Sequence, residues 1–103
     1  MPHHANDITE VTSLIRNDFG LDSTELAKCD LMDELKHQLT NIISYLIDKD
    51  FQRLLNAMYR MDISEDKFKV ALTLDPPTEV APAIAQLIID RELQKVITRR
   101  KYY

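Results

Sequence analysis

Hydrophobic side chains recur at helical spacing across residues 30–62, the longest stretch without Gly or Pro that keeps an unbroken helical pattern. The first series, spaced 3-4-3-4, consists of Met32, Leu35, Leu39, Ile42 and Leu46. That spacing lines one face of an α-helix, whereas in a strand the same positions would scatter over both faces. The pattern therefore predicts a helix.

A second hydrophobic series runs one residue out of phase with the first, which corresponds to about 100° around a helix. It consists of Ile47, Phe51, Leu54, Met58 and Met61. Either one helix turns a new face to a new neighbour, or the chain breaks at residues 48–50, where Asp50 would cap a second helix. We favour the break, which would fold two helices back on each other as an antiparallel hairpin.

The N-terminal segment contains start and stop signals for a helix over residues 7–18. Asn6 is a suitable N-cap, and Gly20 is a suitable stop because glycine adopts the left-handed conformation at little cost. The expected core face holds Ile8, Val11 and either Leu14 or Ile15. Residues 1–5 have no periodicity, so we expect them to be disordered and residues 6–103 to form a single domain.

Two further start signals follow along the chain. Asp22 and Glu25 have the spacing of a capping box, and we expect a helix over residues 23–47, either continuous or interrupted before the central hydrophobic series. Ser64, followed by two acids, predicts a helix over residues 65–72. Residues 67–74 also alternate between apolar and polar positions as a strand would, but a lone strand would have no partner.

Pro76 and Pro77 are the clearest break in the chain, since they lack backbone donors and push the preceding residues out of helical conformation. The last helix begins after them, with Pro82 in its first turn. The predicted fold is an all-α, compact bundle of four or five helices. Their expected bounds are 7–18, 23–47, 50–61, 65–72 and 80–100.

The composition agrees with one helical domain. The chain has 103 residues, 45% of them hydrophobic, and a single Gly, which is too few for the turns of an all-β fold. The lone Cys29 cannot form an intrachain disulfide, and no signal peptide is legible at the N-terminus, so we expect a cytoplasmic protein. No apolar run approaches the roughly 20 residues that span a bilayer, so we expect no membrane partner.

Charge is distributed unevenly around the net value of -4. Residues 1–50 are strongly acidic, and only residues 91–103 are basic. This balance makes nucleic acid an unlikely main partner. The C-terminal tip nevertheless interleaves cations with aromatics, as single-strand binding surfaces do, and it supplies an alternative function. The residues of that tip are Arg99, Arg100, Lys101 and Tyr102.

Residues that could carry catalysis or bind a metal do not form a complete set. Glu34 and His37 have the spacing of a di-iron motif, but no second such pair is present, so we predict no metal, no cofactor and no catalytic site. Cys29 and His37 would lie about 12 Å apart on one helix, too far for a nucleophile–base pair. Acids next to Cys29 should also raise the pKa of its thiol.

The last helix carries two apolar faces, and one small bundle can cover only one of them fully. The second face holds Ile89, Leu93, Val96 and Ile97. We therefore predict that this face takes part in a homodimer, with a twofold axis as the commonest arrangement. The alternative is a monomer in which the helix at residues 7–18 covers the second face.

Two segments in the second half of the chain, LLNAMYRMDISEDK and LIIDRELQK, resemble a family of small uncharacterised helical bacterial proteins. The resemblance implies no activity, cofactor or catalytic residue. Since no chemical constellation is legible either, the leading hypothesis is a small protein-interaction or structural module whose protein partner is unknown.

Overall fold

The computed structural model describes the backbone of residues 5–102 and the side chains of residues 7–101. Within that range the chain forms five α-helices and a short 3-10 turn at Pro77–Glu79. The helices are α1 (Ala5–Phe19), α2 (Met32–Lys49), α3 (Phe51–Met61), α4 (Glu65–Leu72) and α5 (Val80–Tyr102). The prediction of an all-α bundle is confirmed.

The start and the end of α1 differ in how well they follow the predicted signals. α1 already includes Ala5 and Asn6, so Asn6 lies within the helix and does not cap it. Residues 1–4, most of the predicted disordered segment, lie outside the described residues. At the other end Gly20 has φ +67°, and the Leu21 N–H donates to the Arg16 carbonyl at 2.8 Å. The predicted glycine stop is therefore confirmed.

The helix predicted over residues 23–47, continuous or interrupted, is interrupted, and α2 begins only at Met32. The capping box does form, because Asp22 Oδ1 accepts from the Thr24 and Glu25 N–H groups at 2.9 Å. It closes only one turn, in which the Leu26 N–H donates to the Asp22 carbonyl at 3.1 Å. The chain then runs irregularly to Leu31, which has an extended conformation.

Contacts with two helices account for this irregular segment. Leu26 and Cys29 are both buried in the core. Arg16 of α1 donates to the Leu26 carbonyl at 2.7 Å, and Gln38 of α2 accepts from the Ala27 N–H at 3.0 Å. These side chains satisfy backbone groups that a helix would otherwise pair internally, so the segment can bury its apolar residues without being helical.

The predicted break in the central stretch is confirmed at Asp50. This residue ends α2, with its N–H bonded to the Leu46 carbonyl at 2.9 Å, and its side chain accepts from the Arg53 N–H at 3.2 Å to cap α3. The first stripe needs one correction, since Ile43 is fully buried whereas Ile42 is only partly buried. The phase jump thus marks two helices.

The ambiguous segment after Asp62 is helical, as the Ser64 cap predicts. Ser64 Oγ accepts from the Lys67 N–H at 3.4 Å. Phe68 and Ala71 are buried while Val70 is 64% exposed, which is the burial pattern of a helix and not of an alternating strand.

Helix α5 is the centre of the bundle and packs against α1, α2 and α4. Its 23 residues span about 34 Å, close to the full 38 Å length of the molecule. α1 lies antiparallel to its second half, while α4 packs near its start. Among the helices of residues 5–102, none is long and apolar enough to cross a membrane.

Candidate interaction groove

The four residues predicted to form a homodimer face do not form one continuous surface. Ile89 and Val96 are buried within the chain, Leu93 is partly buried, and Ile97 is 49% exposed. α1 packs along this part of α5, as the monomeric alternative supposed. The two-face pattern of α5 is therefore explained inside one chain, and the homodimer stays a prediction without that support.

The basic C-terminal tip is partly occupied by contacts within the chain. The Arg100 guanidinium pairs with the Asp7 carboxylate and lies 3.6 Å from a Glu10 carboxylate oxygen. Both acids belong to the first turns of α1, where negative charge is favourable. Arg99 and Lys101 are exposed, and the side chain of Tyr102 lies outside the described residues. Nucleic-acid binding stays a prediction, and Arg100 supports it less because acids of α1 already pair with its charge.

The residues considered for catalysis or metal binding form no metal-binding cluster among the described side chains. Among the described side chains, no three His, Cys, Asp or Glu residues are grouped so as to hold a metal ion. Cys29 lies before α2 and not on it, so the helical distance argued for Cys29 and His37 does not apply. The Cys29 thiol instead contacts the Gln38 amide at 3.2 Å and the Ala27 carbonyl at 3.3 Å.

Burial is the main reason that the pKa of the Cys29 thiol is raised, followed by the negative charge of Glu34. Arg16 opposes this shift, and Asp30 adds to it. The predicted direction was right, although adjacent acids are the smaller cause. A buried thiol with a raised pKa is a poor nucleophile, because the thiolate is the reactive form.

A concave surface of about 730 Å³ lies between α3 and α4. α4 packs mainly on α5 and contacts α3 only slightly, which leaves the two consecutive helices open toward each other. We call this surface the α3–α4 groove. Its apolar lining consists of Phe51, Leu55, Met58, Tyr59, Ile63, Phe68 and Leu72.

Aromatic rings mark the two ends of the groove. Phe51 and Phe68 stack with ring centroids 6.4 Å apart and an interplanar angle of 16°, and this contact ties the start of α3 to the middle of α4. Tyr59, two turns farther along α3, is 91% exposed. An exposed aromatic ring beside an apolar floor is a typical feature of a protein-binding surface.

Polar side chains border the apolar floor on both helices. On α3, Gln52 donates to Asn56 at 3.0 Å. On α4, Lys69 pairs with Glu65 at 3.3 Å, and both side chains are largely exposed. Asp62 lies at the end where the two helices meet. The groove therefore has an apolar centre and a polar rim, as protein interfaces have.

The sequence contains a signal for this groove that the helical-stripe argument missed. Phe51, Leu55 and Tyr59 follow one another at intervals of four residues, so they form a second stripe on α3 beside the core stripe. The core stripe of Leu54, Ala57, Met58 and Met61 is buried. A helix of 11 residues with two apolar stripes offers one of them to something outside its own bundle.

Three arginine side chains hold α3 in place by donating hydrogen bonds to backbone carbonyls at the C-termini of helices. Arg53 donates to the Phe19 carbonyl at 2.8 Å, and Arg60 donates to the Asp18 carbonyl at 3.1 Å, so both hold the C-terminus of α1. Arg91 of α5 donates to the Met61 carbonyl at 3.2 Å, at the C-terminus of α3 itself. Cations suit these positions, where unpaired carbonyls carry partial negative charge. α3, which forms one wall of the groove, is thus joined to α1 and α5 by these hydrogen bonds.

Comparisons of the chain with protein-family models, with curated proteins and with solved structures return no match. The resemblance to small helical bacterial proteins accordingly stays a prediction, and it is the geometry of the groove that supports a function.

Proposed function

We propose that this protein is a small interaction module of the cytoplasm, without a catalytic site, that holds an amphipathic helix of a partner protein in the α3–α4 groove. The observation that carries the proposal is the second apolar stripe of α3, which faces the groove. α4 contacts it at Phe51, and Tyr59 stays 91% exposed. Tyr59 and Leu55 supply the apolar contact, and the rim supplies orientation.

The shape of the groove favours a helix over a compact small molecule. The lining residues of α3 and α4 recur every three or four positions from one end of each helix to the other. These walls are about 16 Å and 12 Å long, so the groove is elongated and accepts roughly three turns of helix. Docking of an apolar helix face into such a groove is a recurrent mode of protein recognition.

Charges on the rim predict the orientation of the partner helix. Asp62 and Glu65 place two exposed acids at the end where α3 and α4 meet. Arg91 lies 3.4 Å from Asp62, and Lys69, one turn farther along α4, lies 3.3 Å from Glu65. Exposed ion pairs of this kind are weak, so a cation of the partner can replace them. We therefore expect a partner helix to carry Lys or Arg beside its apolar face where it meets Asp62 and Glu65. It should carry an acid one turn away, where it meets Lys69. Complementary charge mainly selects and orients a partner, while the apolar contact supplies affinity.

A displayed library of helical peptides tests this proposal directly. Each peptide would have about 14 residues, a fixed Leu face, and flanking positions drawn from Lys, Glu and Ser. Selection on the wild-type chain would be countered with Leu55→Glu, which places a charge in the floor of the groove. We expect enriched peptides to bear Lys on the flank that meets Asp62 and Glu65.

Two tyrosines of the chain provide a matched pair of variants for the selected peptides. Tyr59 lines the groove, whereas Tyr45 is 63% exposed on α2, outside it. Tyr59→Ala should weaken binding by at least about tenfold, as loss of an aromatic anchor does, and Tyr45→Ala should leave it unchanged. The proposal fails if no enriched peptide distinguishes the wild-type chain from Leu55→Glu, or if both alanine variants bind equally.

A further inference from the structure

Glu92 of α5 is a fully buried carboxyl group, with 0% of the residue exposed. Its Oε1 atom lies 3.5 Å from the Lys95 ammonium group, one turn along the same helix. Its Oε2 atom has no hydrogen-bond partner among the described residues. A buried carboxylate oxygen without a donor is costly, because it has lost its water and gained nothing in exchange.

A second carboxyl group, that of Asp18 in the last turn of α1, lies within hydrogen-bonding reach of Glu92. When both groups are ionised, each can only accept a hydrogen bond, and the two charges repel. A single proton on either one converts the pair into a donor and an acceptor. A proton shared by the two carboxyl groups would remove both their repulsion and the need for a separate donor.

The cations near this pair do not neutralise it. Lys95 is the cation that acts on Glu92. Arg60 of α3 directs its guanidinium to the backbone carbonyl of Asp18 and not to the carboxylate. Arg91, the residue before Glu92, is directed away to Met61 of α3 and to Asp62, which follows that helix. Among the described residues, the Lys95 ammonium group pairs with Glu92, and no cation pairs with the Asp18 carboxylate.

We propose that Glu92 is a proton-controlled latch between α5 and the C-terminal turn of α1. In the closed state Glu92 carries a proton taken from solvent and donates it in a hydrogen bond to the Asp18 carboxylate. Loss of that proton to solvent leaves two facing carboxylates, which loosen the last turn of α1 from α5. The latch is independent of the groove proposed above.

The titration range of Glu92 falls near neutral pH. Burial raises the pKa of Glu92 to about 7, with the hydrogen bond to Asp18 adding to the shift and Lys95 opposing it. The ordinary value of this pKa is 4.5, so between the two values the folded chain binds more protons than the unfolded chain. The stabilisation is complete below pH 4.5 and is lost as pH rises through about 7.

The test compares unfolding of the wild-type chain with that of Glu92→Gln between pH 5 and pH 8.5. The amide of glutamine keeps the size of the side chain and a donor for Asp18 but cannot lose a proton in this range. The folding equilibrium constant of the wild type, divided by that of Glu92→Gln, should fall by up to about tenfold per pH unit. Titration of histidines cancels in this ratio.

Carbon NMR of the wild-type chain tests the inference even if Glu92→Gln folds poorly. Carbon NMR of the Glu92 carboxyl in the wild-type chain should show a midpoint between about pH 6 and 8, and a midpoint near the ordinary pKa would overturn the latch. Glu79→Gln, at an exposed position before α5, is the matched control and should leave the pH dependence unchanged.

Amide hydrogen exchange distinguishes a latch from a merely buried acid. At pH 8, residues 16–19 should exchange faster in the wild-type chain than in Glu92→Gln, while the amides of α2 should match. Equal protection of α1 in the two proteins, or equal pH dependence of their stability, would show that Glu92 does not control this contact.

Discussion

The α1–α5 interface and the α3–α4 groove differ in how their surfaces are satisfied. Along α1 and α5, apolar side chains are buried together, and Arg100 at one end pairs with acids of α1. Along α3 and α4, an apolar stripe of similar length remains in contact with solvent, and its charged rim is exposed. Apolar side chains are covered by the chain itself at the α1–α5 interface, whereas at the α3–α4 groove they stay exposed to solvent.

This difference separates the apolar residues that hold the fold from those available for binding. A residue that is buried by neighbours of its own chain contributes to folding whether or not a partner is present. A residue such as Tyr59 contributes little until something covers it, because nearly all of its surface is still in water. Substitutions in the two regions should therefore separate stability from binding.

The largest effect is expected in the buried core of the bundle. Leu39 on α2 is fully buried, and Leu39→Ala should lower the free energy of unfolding by about 2–5 kcal/mol, through lost burial and the cavity left behind. Leu54→Ala on α3 should cost a similar amount, because its side chain is also fully buried. Urea or guanidinium unfolding measures both.

The matched substitution in the groove is Leu72→Ala, at a partly buried position on α4. It removes the same atoms but leaves a site that already opens to solvent, so its cost should be clearly below that of Leu39→Ala. Equal costs at these two positions would mean that the groove is closed in solution and that the comparison is wrong.

The next effect concerns the arginine that joins the two regions. Arg53 donates twice to the Phe19 carbonyl, at 3.2 and 2.8 Å, and reaches the Gly20 carbonyl at 3.3 Å. Arg53→Met keeps most of the apolar stem but removes these charged donors, and it should cost roughly 1.5–3 kcal/mol in thermal or denaturant unfolding. Lys49→Met, at an exposed position of α2, is the control and should change stability by less than about 0.5 kcal/mol.

Local rules predicted the helices well where each signal acts within a few residues. Gly20, Asp50 and Ser64 each end or begin a helix as expected, because a left-handed residue or a side-chain cap satisfies backbone groups next to it in sequence. The end of α3 was placed correctly, although its left-handed Asp62 could not be read from composition, since it is not a glycine.

The predictions from sequence failed where contacts between residues far apart in the chain determine the structure. Residues 23–31 contain no helix breaker, yet Arg16 and Gln38 replace helical hydrogen bonds there, and neither is adjacent in sequence. The groove was missed for a related reason. The stripe of Phe51, Leu55 and Tyr59 is visible in the sequence, but which of the two stripes of α3 is buried depends on how α4 packs on α5.

Acid should weaken the one turn formed by residues 22–26. The side chain of Thr24 and the N–H groups of Glu25 and Thr24 donate to Asp22 and hold the pKa of its carboxyl below the usual 3.8. Because the shift is downward, the stabilisation is present above that value and is lost as pH falls through the lower folded pKa. This direction is opposite to the one expected for Glu92.

The measurement for this turn is amide exchange or the chemical shift of Leu26 followed from pH 5 to pH 2. Asp22→Asn keeps an Oδ1 acceptor that does not titrate, so it should largely retain the turn at pH 5 and remove most of the change on acidification. Glu10→Gln, on the exposed side of α1, serves as the control and should not affect the turn. If Asp22→Asn keeps the full acid transition, another carboxyl group is responsible.

The smallest change in stability is expected at Tyr59, the residue on which binding should depend most. Its side chain is 91% exposed, so Tyr59→Ala removes very little buried surface. Alanine also has the higher helix propensity, which favours the variant by roughly 0.5 kcal/mol within α3. We therefore expect Tyr59→Ala to be as stable as the wild-type chain or slightly more stable, while Phe51→Ala, which breaks the ring contact with Phe68, is destabilised.

Thermal unfolding of these two variants, with Tyr45→Ala as the control, measures whether Tyr59 contributes to stability. A marked loss of stability in Tyr59→Ala would show that this ring contributes to the fold, and it would remove Tyr59 from the proposed binding surface.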